Sequence, residues 1–233
     1  MASSLEGPRL PARNGIAKQL VVFLHGYGAD GNDLIAIGKQ WQNMMPDTAF
    51  VAPNAPTPCL RSQSGGRQWF TLDTFEPEEQ WEGVNQAAPG LIDFINTELK
   101  RYGLDESRLL LVGFSQGTML ALHVGLRLAK APAGILGFSG AIVGPEFLNE
   151  ATARSASGRP PAILLIHGNQ DEVIPVEALF LSAEELSKAG FPCEWHLSPG
   201  IGHGIDAGGL THGGLFACKS LKVEIPKEAW TRR

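Results

Sequence analysis

The feature that most constrains this chain is the alternation of short, almost wholly apolar runs with longer segments of helical period. Residues 20–24, 49–52, 109–112, 134–138, 162–166 and 193–197 read as strands. Nearly all lack the apolar-polar alternation of a half-exposed strand, so both faces of their sheet must be covered. Between them, Leu34, Ile37, Trp41 and Met44 recur at helical spacing behind an Asp33 cap, and Val84, Ala88, Leu91, Ile95 and Leu99 do the same. Two further helices are expected, over 116–130, rich in Leu and Ala, and over 176–189, which follows Pro175 and stops at Gly190. The pattern predicts an α/β fold, a mostly parallel central sheet with helices on both faces.

At 233 residues such a chain buries a full core as one domain without disulfides. No internal repeat or low-complexity linker divides it. Residues 1–18 read as an N-terminal extension. Residues 53–81 carry prolines, Ser62, Ser64, Gly65, Gly66 and several aromatics without periodicity, so they read as a long loop over the functional site. Residues 218–233 read as a tail of mixed charge with Pro226, without an amphipathic closing helix.

The net charge of −5 and the absence of a long Lys or Arg run exclude nucleic acid as a partner. Cys59, Cys193 and Cys218 are odd in number and widely spaced, which argues against a disulfide framework and a zinc site. They are expected as reduced thiols. The first apolar run is too short for a signal-peptide core and no stretch approaches a membrane span, so a cytoplasmic location without membrane insertion is expected.

The chemistry concentrates at Gly113, Phe114, Ser115, Gln116 and Gly117, which spell G-x-S-x-G between an expected strand and an expected helix. A sharp turn there exposes a serine hydroxyl, and its glycine flanks avoid collision with neighbouring backbone. A serine needs a base within hydrogen-bond reach, itself held by a carboxylate, and in this arrangement the chain order is Ser, acid, His. Downstream, the strand 162–166 runs into His167, Gly168, Asn169, Gln170, Asp171 and Glu172, which makes Asp171 the candidate acid and Glu172 its neighbouring competitor. After the last strand come Gly200, Ile201, Gly202, His203 and Gly204, and His203 is the preferred base because a glycine flanks it on each side. His25 and His167 precede the acid and read as structural loop residues; His123 falls on a helix, His196 in a strand and His212 in a late Gly-rich segment. The backbone N–H groups of Tyr27 and Gln116 are the candidate oxyanion hole.

Gly26, Gly28 and Gly31 also form G-x-G-x-x-G after a strand, the mark of dinucleotide binding. That fingerprint needs an acidic residue ending the second strand, and Pro53 and Asn54 stand there instead. No phosphate-loop or HExxH pattern is present, so neither a cofactor nor a metal is expected.

Four motifs in order carry a resemblance over nearly the whole chain. They are F-L-H-G at 23–26, G-F-S-Q-G at 113–117, H-G-x-x-D at 167–171 and G-H at 202–203. The chain resembles the phospholipase/carboxylesterase family, which includes acyl-protein thioesterases and small bacterial carboxylesterases. The resemblance implies the α/β-hydrolase fold, a triad of Ser115, Asp171 and His203, and oxyanion donors at Tyr27 and Gln116. Family members commonly carry W-F-D or W-Y-D in the long loop, whereas here Thr71 and Leu72 separate Trp69 and Phe70 from Asp73.

The expected activity is cofactor-free hydrolysis of small or medium acyl esters through an acyl-enzyme. Trp69, Phe70, Leu72, Ile142, Val143 and Ile174 are expected around the substrate, a small-molecule ester. The runner-up is a thioesterase or lysophospholipase for long acyl chains. A hydrolase-like binding module is the non-enzyme rival, which a missing triad member would favour and none is missing. Assembly is left open between monomer and homodimer.

Overall fold

A computed structural model describes residues 5–62, 65–155 and 158–225. Its elements run β1 (Arg9–Leu10), β2 (Gln19–Leu24), α1 (Gly31–Trp41), β3 (Thr48–Val51), β4 (Thr57–Pro58), β5 (Arg67–Gln68), α2 (Pro77–Tyr102), β6 (Leu109–Phe114), α3 (Gln116–Gly125), β7 (Gly134–Phe138), α4 (Leu148–Ser155), β8 (Ala162–Gly168), α5 (Glu177–Lys188), β9 (Cys193–Ser198) and α6 (Ala207–Leu221). The main sheet has strand order β1-β3-β2-β6-β7-β8-β9. Every pairing in it is parallel except β1 with β3.

The side-chain alternation of the strands divides the core in two. Leu20, Val22 and Leu24 of β2 pack with α2, α3 and α5, while Val21 and Phe23 pack with α1 and α6. This two-sided burial is what the continuous apolar runs demand. All six strands expected from the sequence are present, with ends that differ by two residues or fewer.

Several expectations are corrected. Asp30, not Asp33, caps α1, because its Oδ1 accepts the Asn32 N–H at 2.8 Å. Helix α3 stops at Gly125 rather than 130, and turns carry the chain towards Pro132, whose ring disfavours helix before it. The extension 1–18 contributes β1, and Arg9 holds the fully buried Glu98 of α2 through contacts of 2.8 and 3.2 Å. The 53–81 loop contains the β4–β5 ribbon and ends in α2, which Pro77 starts. The tail's expected start at Cys218 lies inside α6, and residues 226–233 lie outside the described residues.

Helix α6 escaped the sequence reading because Gly208, Gly209, Gly213 and Gly214 weaken its helical signature. Two of them have a packing reason: a Cβ on Gly213 or Gly214 would press on Leu136, Phe138, Trp41 or Met44. The helix starts at Asp206, whose carboxylate accepts the N–H groups of Gly208 and Gly209 at 3.0 Å and the Ser198 hydroxyl at 2.7 Å. The Ser198 bond leads in holding the Asp206 carboxyl below its ordinary 3.8, with burial opposing and the two N–H bonds assisting.

Asp206→Ala is therefore expected to cost about 1 to 2 kcal/mol, the usual worth of such a cap. Because the folded carboxyl titrates below its unfolded value, its contribution is complete above pH 3.8 and disappears as pH falls through the lowered value. Thermal melts of both proteins across pH should differ at neutrality and converge in strong acid. A constant difference across the series would rule this account out.

Candidate active site

Ser115 sits between β6 and α3 with φ 53° and ψ −118°, in the left-handed half of conformational space that non-glycine residues avoid. The surrounding backbone allows nothing else. A Cβ on Gly113 would fall on the Gly117 carbonyl, and one on Gly117 would fall on the Leu24 carbonyl, so the residues two before and two after the serine must lack side chains. The Ser115 N–H donates to the Phe138 carbonyl at 2.9 Å, tying the turn to the end of β7. Strain held by such packing leaves the hydroxyl at the carboxyl edge of the sheet, where open α/β sheets bind ligands.

The end of β2 meets this turn from the other side. A Cβ on Gly26 would come within 3.4 Å of the Ser115 Cβ, so the chain passes directly against the serine before reaching Tyr27. Burial and a hydrogen bond with Cys59 push the Tyr27 phenol up to about 12, which keeps its ring neutral. Gln116 opens α3, where the first N–H groups of a helix have no intrahelical acceptor. Its side chain staples the long loop to the turn: Oε1 accepts the Trp69 N–H at 2.9 Å and Nε2 donates to the Phe70 carbonyl at 2.8 Å.

His25 is held between neighbours on both nitrogens. Nε2 accepts the Ala55 N–H at 3.0 Å, which leaves Nδ1–H to donate to the Gly26 carbonyl at 2.8 Å. Burial leads in pushing its imidazole below the ordinary histidine value. The Trp69 indole N–H donates to the His25 carbonyl at 2.9 Å, completing the tie between the long loop and β2.

Two loops supply the imidazole and the carboxylate. Asp171 follows β8 and His203 follows β9, the adjacent strand, so the sheet brings together residues 32 apart in sequence. The loops are joined by Asn169 N–H to Ser198 carbonyl at 3.1 Å and Gln170 N–H to Ile201 carbonyl at 2.9 Å. Gly168 permits this approach, because a Cβ there would meet the carbonyls of Ile201 and Gly202.

His203 Nδ1 lies 2.8 Å from Asp171 Oδ2, while Oδ1 accepts the N–H groups of Val173 and Ile174 at 2.9 Å each. Burial pushes the Asp171 carboxyl up, but the bonds from Ile174, His203 and Val173 outweigh it and hold the group below its ordinary value. An ionised carboxylate only accepts, so His203 carries its proton on Nδ1 and its Nε2 is the basic nitrogen. Glu172 is exposed. The His203 ring packs on Phe114 at 5.0 Å between centroids, which brings it beside the residue preceding Ser115.

Of the six residues expected around a substrate, Trp69, Phe70, Leu72 and Val143 are buried in the core, and Ile142 and Ile174 are half-buried at its margin. A cavity of about 360 Å³ opens on the opposite side, lined by Leu34, Ile37, Phe114, Gly204, Ile205 and Leu210 among others. These residues belong to four separate elements, and no spacing in the sequence links them. His196 and His212 pair with each other, ring centroids 4.0 Å apart, and His123 packs against Trp81. Cys59, Cys193 and Cys218 are free thiols. Among the described residues, no three His, Cys, Asp or Glu side chains gather as a metal site, and no helix is long and apolar enough to cross a membrane.

A parallel sheet with its serine on a strained strand-to-helix turn, and an imidazole and a carboxylate on later loops of the same edge, has the architecture of the α/β-hydrolases. Within that class, the model of the phospholipase/carboxylesterase family matches residues 6–213, and the chain belongs to that family. Esterase PE8 matches this fold with a TM-score of 0.87 and 43% sequence identity, covering 94% of this chain and 100% of its own. The esterase YpfH of Escherichia coli is 28% identical over 216 residues, 91% of this chain and 85% of its own length. Acyl-protein thioesterase 1 of Gibberella zeae is 28% identical over 194 residues, 78% of this chain and 82% of its own length. Membership of this family supports hydrolysis of carboxylic esters as the activity.

Proposed function

We propose that the protein is a serine carboxylesterase acting on small to medium acyl esters, with Ser115 as nucleophile, His203 as base and Asp171 as acid. The observation that carries this reading is the 2.8 Å contact of His203 Nδ1 with the buried Asp171 carboxylate, at the same sheet edge as the strained Ser115 turn.

In this mechanism the Ser115 oxygen attacks the ester carbonyl carbon as His203 Nε2 takes its proton. Asp171 stabilises the imidazolium that results. The negative charge that develops on the carbonyl oxygen faces the N–H groups of Tyr27 and Gln116, which act without reorganisation because both are fixed in the backbone. Collapse expels the alcohol, which takes the proton from His203, and leaves an acyl-enzyme. Water then repeats the sequence in reverse roles and releases the acid. No step calls for a metal or an organic cofactor.

The cavity beside Phe114 and Ile205, walled by apolar side chains together with Asp33 and Gln40, suits a short arm of such a substrate. A second reading, hydrolysis of long-chain thioesters, draws on the names of fungal relatives such as the Gibberella zeae protein. Nitrophenyl esters of rising chain length, measured beside a palmitoyl thioester, separate the two. Esterase activity should peak at short or medium chains, and a dominant palmitoyl thioester rate would transfer the assignment to the second reading. A fluorophosphonate should label Ser115 alone, since only a hydroxyl paired with a base attacks phosphorus rapidly at neutral pH. Peptide mapping that places the label on another serine would sink the nucleophile assignment.

A further inference from the structure

His167 is the penultimate residue of β8 and is buried, its side chain only 1% exposed. The sequence reading treats it as a structural loop residue. Its Nε2, however, lies 2.9 Å from the Ile174 carbonyl oxygen and 3.2 Å from Asp171 Oδ2, the same oxygen that His203 contacts. A carbonyl can only accept, so this nitrogen carries the proton and donates it to Ile174, with Asp171 Oδ2 in contact beside that bond. Ile174 in turn donates its N–H to Asp171 Oδ1 at 2.9 Å. A hydrogen-bond relay results, from His167 to the Ile174 carbonyl and from the Ile174 N–H to Oδ1, with Oδ2 itself 3.2 Å from the imidazole nitrogen.

We propose that His167 is a positioning residue for catalysis, whose Nε2–H fixes the Ile174 carbonyl and whose ring backs Oδ2, so that the clamped Asp171 carboxylate presents a single orientation to His203. The proposal rests on the reading of Asp171 as the triad acid. Its physical basis is the difference between the two carboxylate oxygens. Oδ1 is fixed by two backbone N–H groups, and the segment that supplies them is held in turn by the His167 bond to the Ile174 carbonyl, while the imidazole stands against Oδ2. His203 cannot supply that hold, because its own orientation is what the carboxylate has to fix. His167 approaches from within β8, a central-sheet strand paired on both sides, and its position is independent of the reaction. Without it, the Ile174 carbonyl loses a buried donor and the carboxylate is free to rock, which lets His203 drift from the serine.

Four variants test the proposal: His167→Leu, His167→Gln, His167→Asn and Asp171→Ala. A Gln side chain places an amide N–H at the distance of Nε2, whereas Asn is polar but too short to reach either oxygen. In His167→Leu, kcat should fall by roughly 10- to 100-fold while KM stays within about threefold, since small misplacements of a catalytic group cost up to about 10²-fold. Gln should recover kcat to within about fivefold of wild type, and Asn should not. The downfield proton resonance of His203 Nδ1–H should be sharp in wild type and Gln, and broadened in Leu and Asn. If the Leu variant fails to fold, the contrast of Gln with Asn decides alone.

Unchanged kcat in all folded His167 variants beside an inactive Asp171→Ala would overturn the clamp and leave the triad standing. A rise in KM at constant kcat would likewise overturn it, by assigning His167 to substrate binding. Full activity in Asp171→Ala would remove the triad acid itself, and the clamp with it.

Discussion

Asp171→Ala is expected to lower turnover by on the order of 10⁴-fold, the cost of disabling the acid in known serine triads, while Glu172→Ala should stay within about tenfold of wild type. The two side chains are neighbours with the same chemistry, and only their surroundings differ. Asp171 accepts two backbone N–H groups and the His203 N–H, with His167 3.2 Å away, and its carboxyl titrates below its ordinary value. Glu172 is exposed. Without Asp171, His203 loses both the partner that fixes its Nδ1–H and the charge that stabilises the imidazolium. Steady-state kinetics on a nitrophenyl ester measures both variants once circular dichroism has established that they fold. The opposite ranking would give the acid role to Glu172, and near-normal turnover in both would take this loop out of the mechanism.

Truncation after Ala217 should abolish cooperative folding. The cut removes the last turn of α6, including Cys218 and Leu221, which are 3% and 1% exposed within the core shared with α1. It also removes Val223, whose N–H donates to the Cys218 carbonyl and whose side chain packs on the same cluster. Deleting one buried Leu side chain costs about 2 to 5 kcal/mol, and a whole domain is stable by about 5 to 15. Loss of three apolar residues and a helix terminus thus consumes most of that margin. Thermal melting of the truncated protein tests this directly, and a melt matching the full chain would show the segment after Ala217 to be dispensable.

The parts of the site that were legible in the sequence are those dictated by short-range sterics. Gly113 and Gly117 flank Ser115 because backbone lies where their side chains would be, and that need leaves a five-residue pattern. Gly168 leaves a similar trace after His167, since the loop carrying His203 presses against it. The failures share an opposite cause. Gly213 and Gly214 look like loop residues until Trp41 and Met44, more than 150 positions earlier, are seen to occupy the space beside them. The burial of Trp69 and Phe70 was hidden in the same way, because Gln116 and α2, which hold them, lie further along the chain.

By itself, then, the sequence of this protein determined its strands, its parallel α/β layering, the serine turn and the short set of residues from which a triad could be drawn. These follow from local periodicity and from the space a backbone turn allows, both of which are written in neighbouring residues. The tertiary structure alone decided that β8 and β9 lie side by side, that the carboxylate meeting His203 is that of Asp171, and that His167 stands against its oxygen. Those relations join residues from different loops and strands. They come into being only when the sheet has paired, because hydrogen-bond partners a few ångströms apart in space are set by strand order and not by distance along the chain.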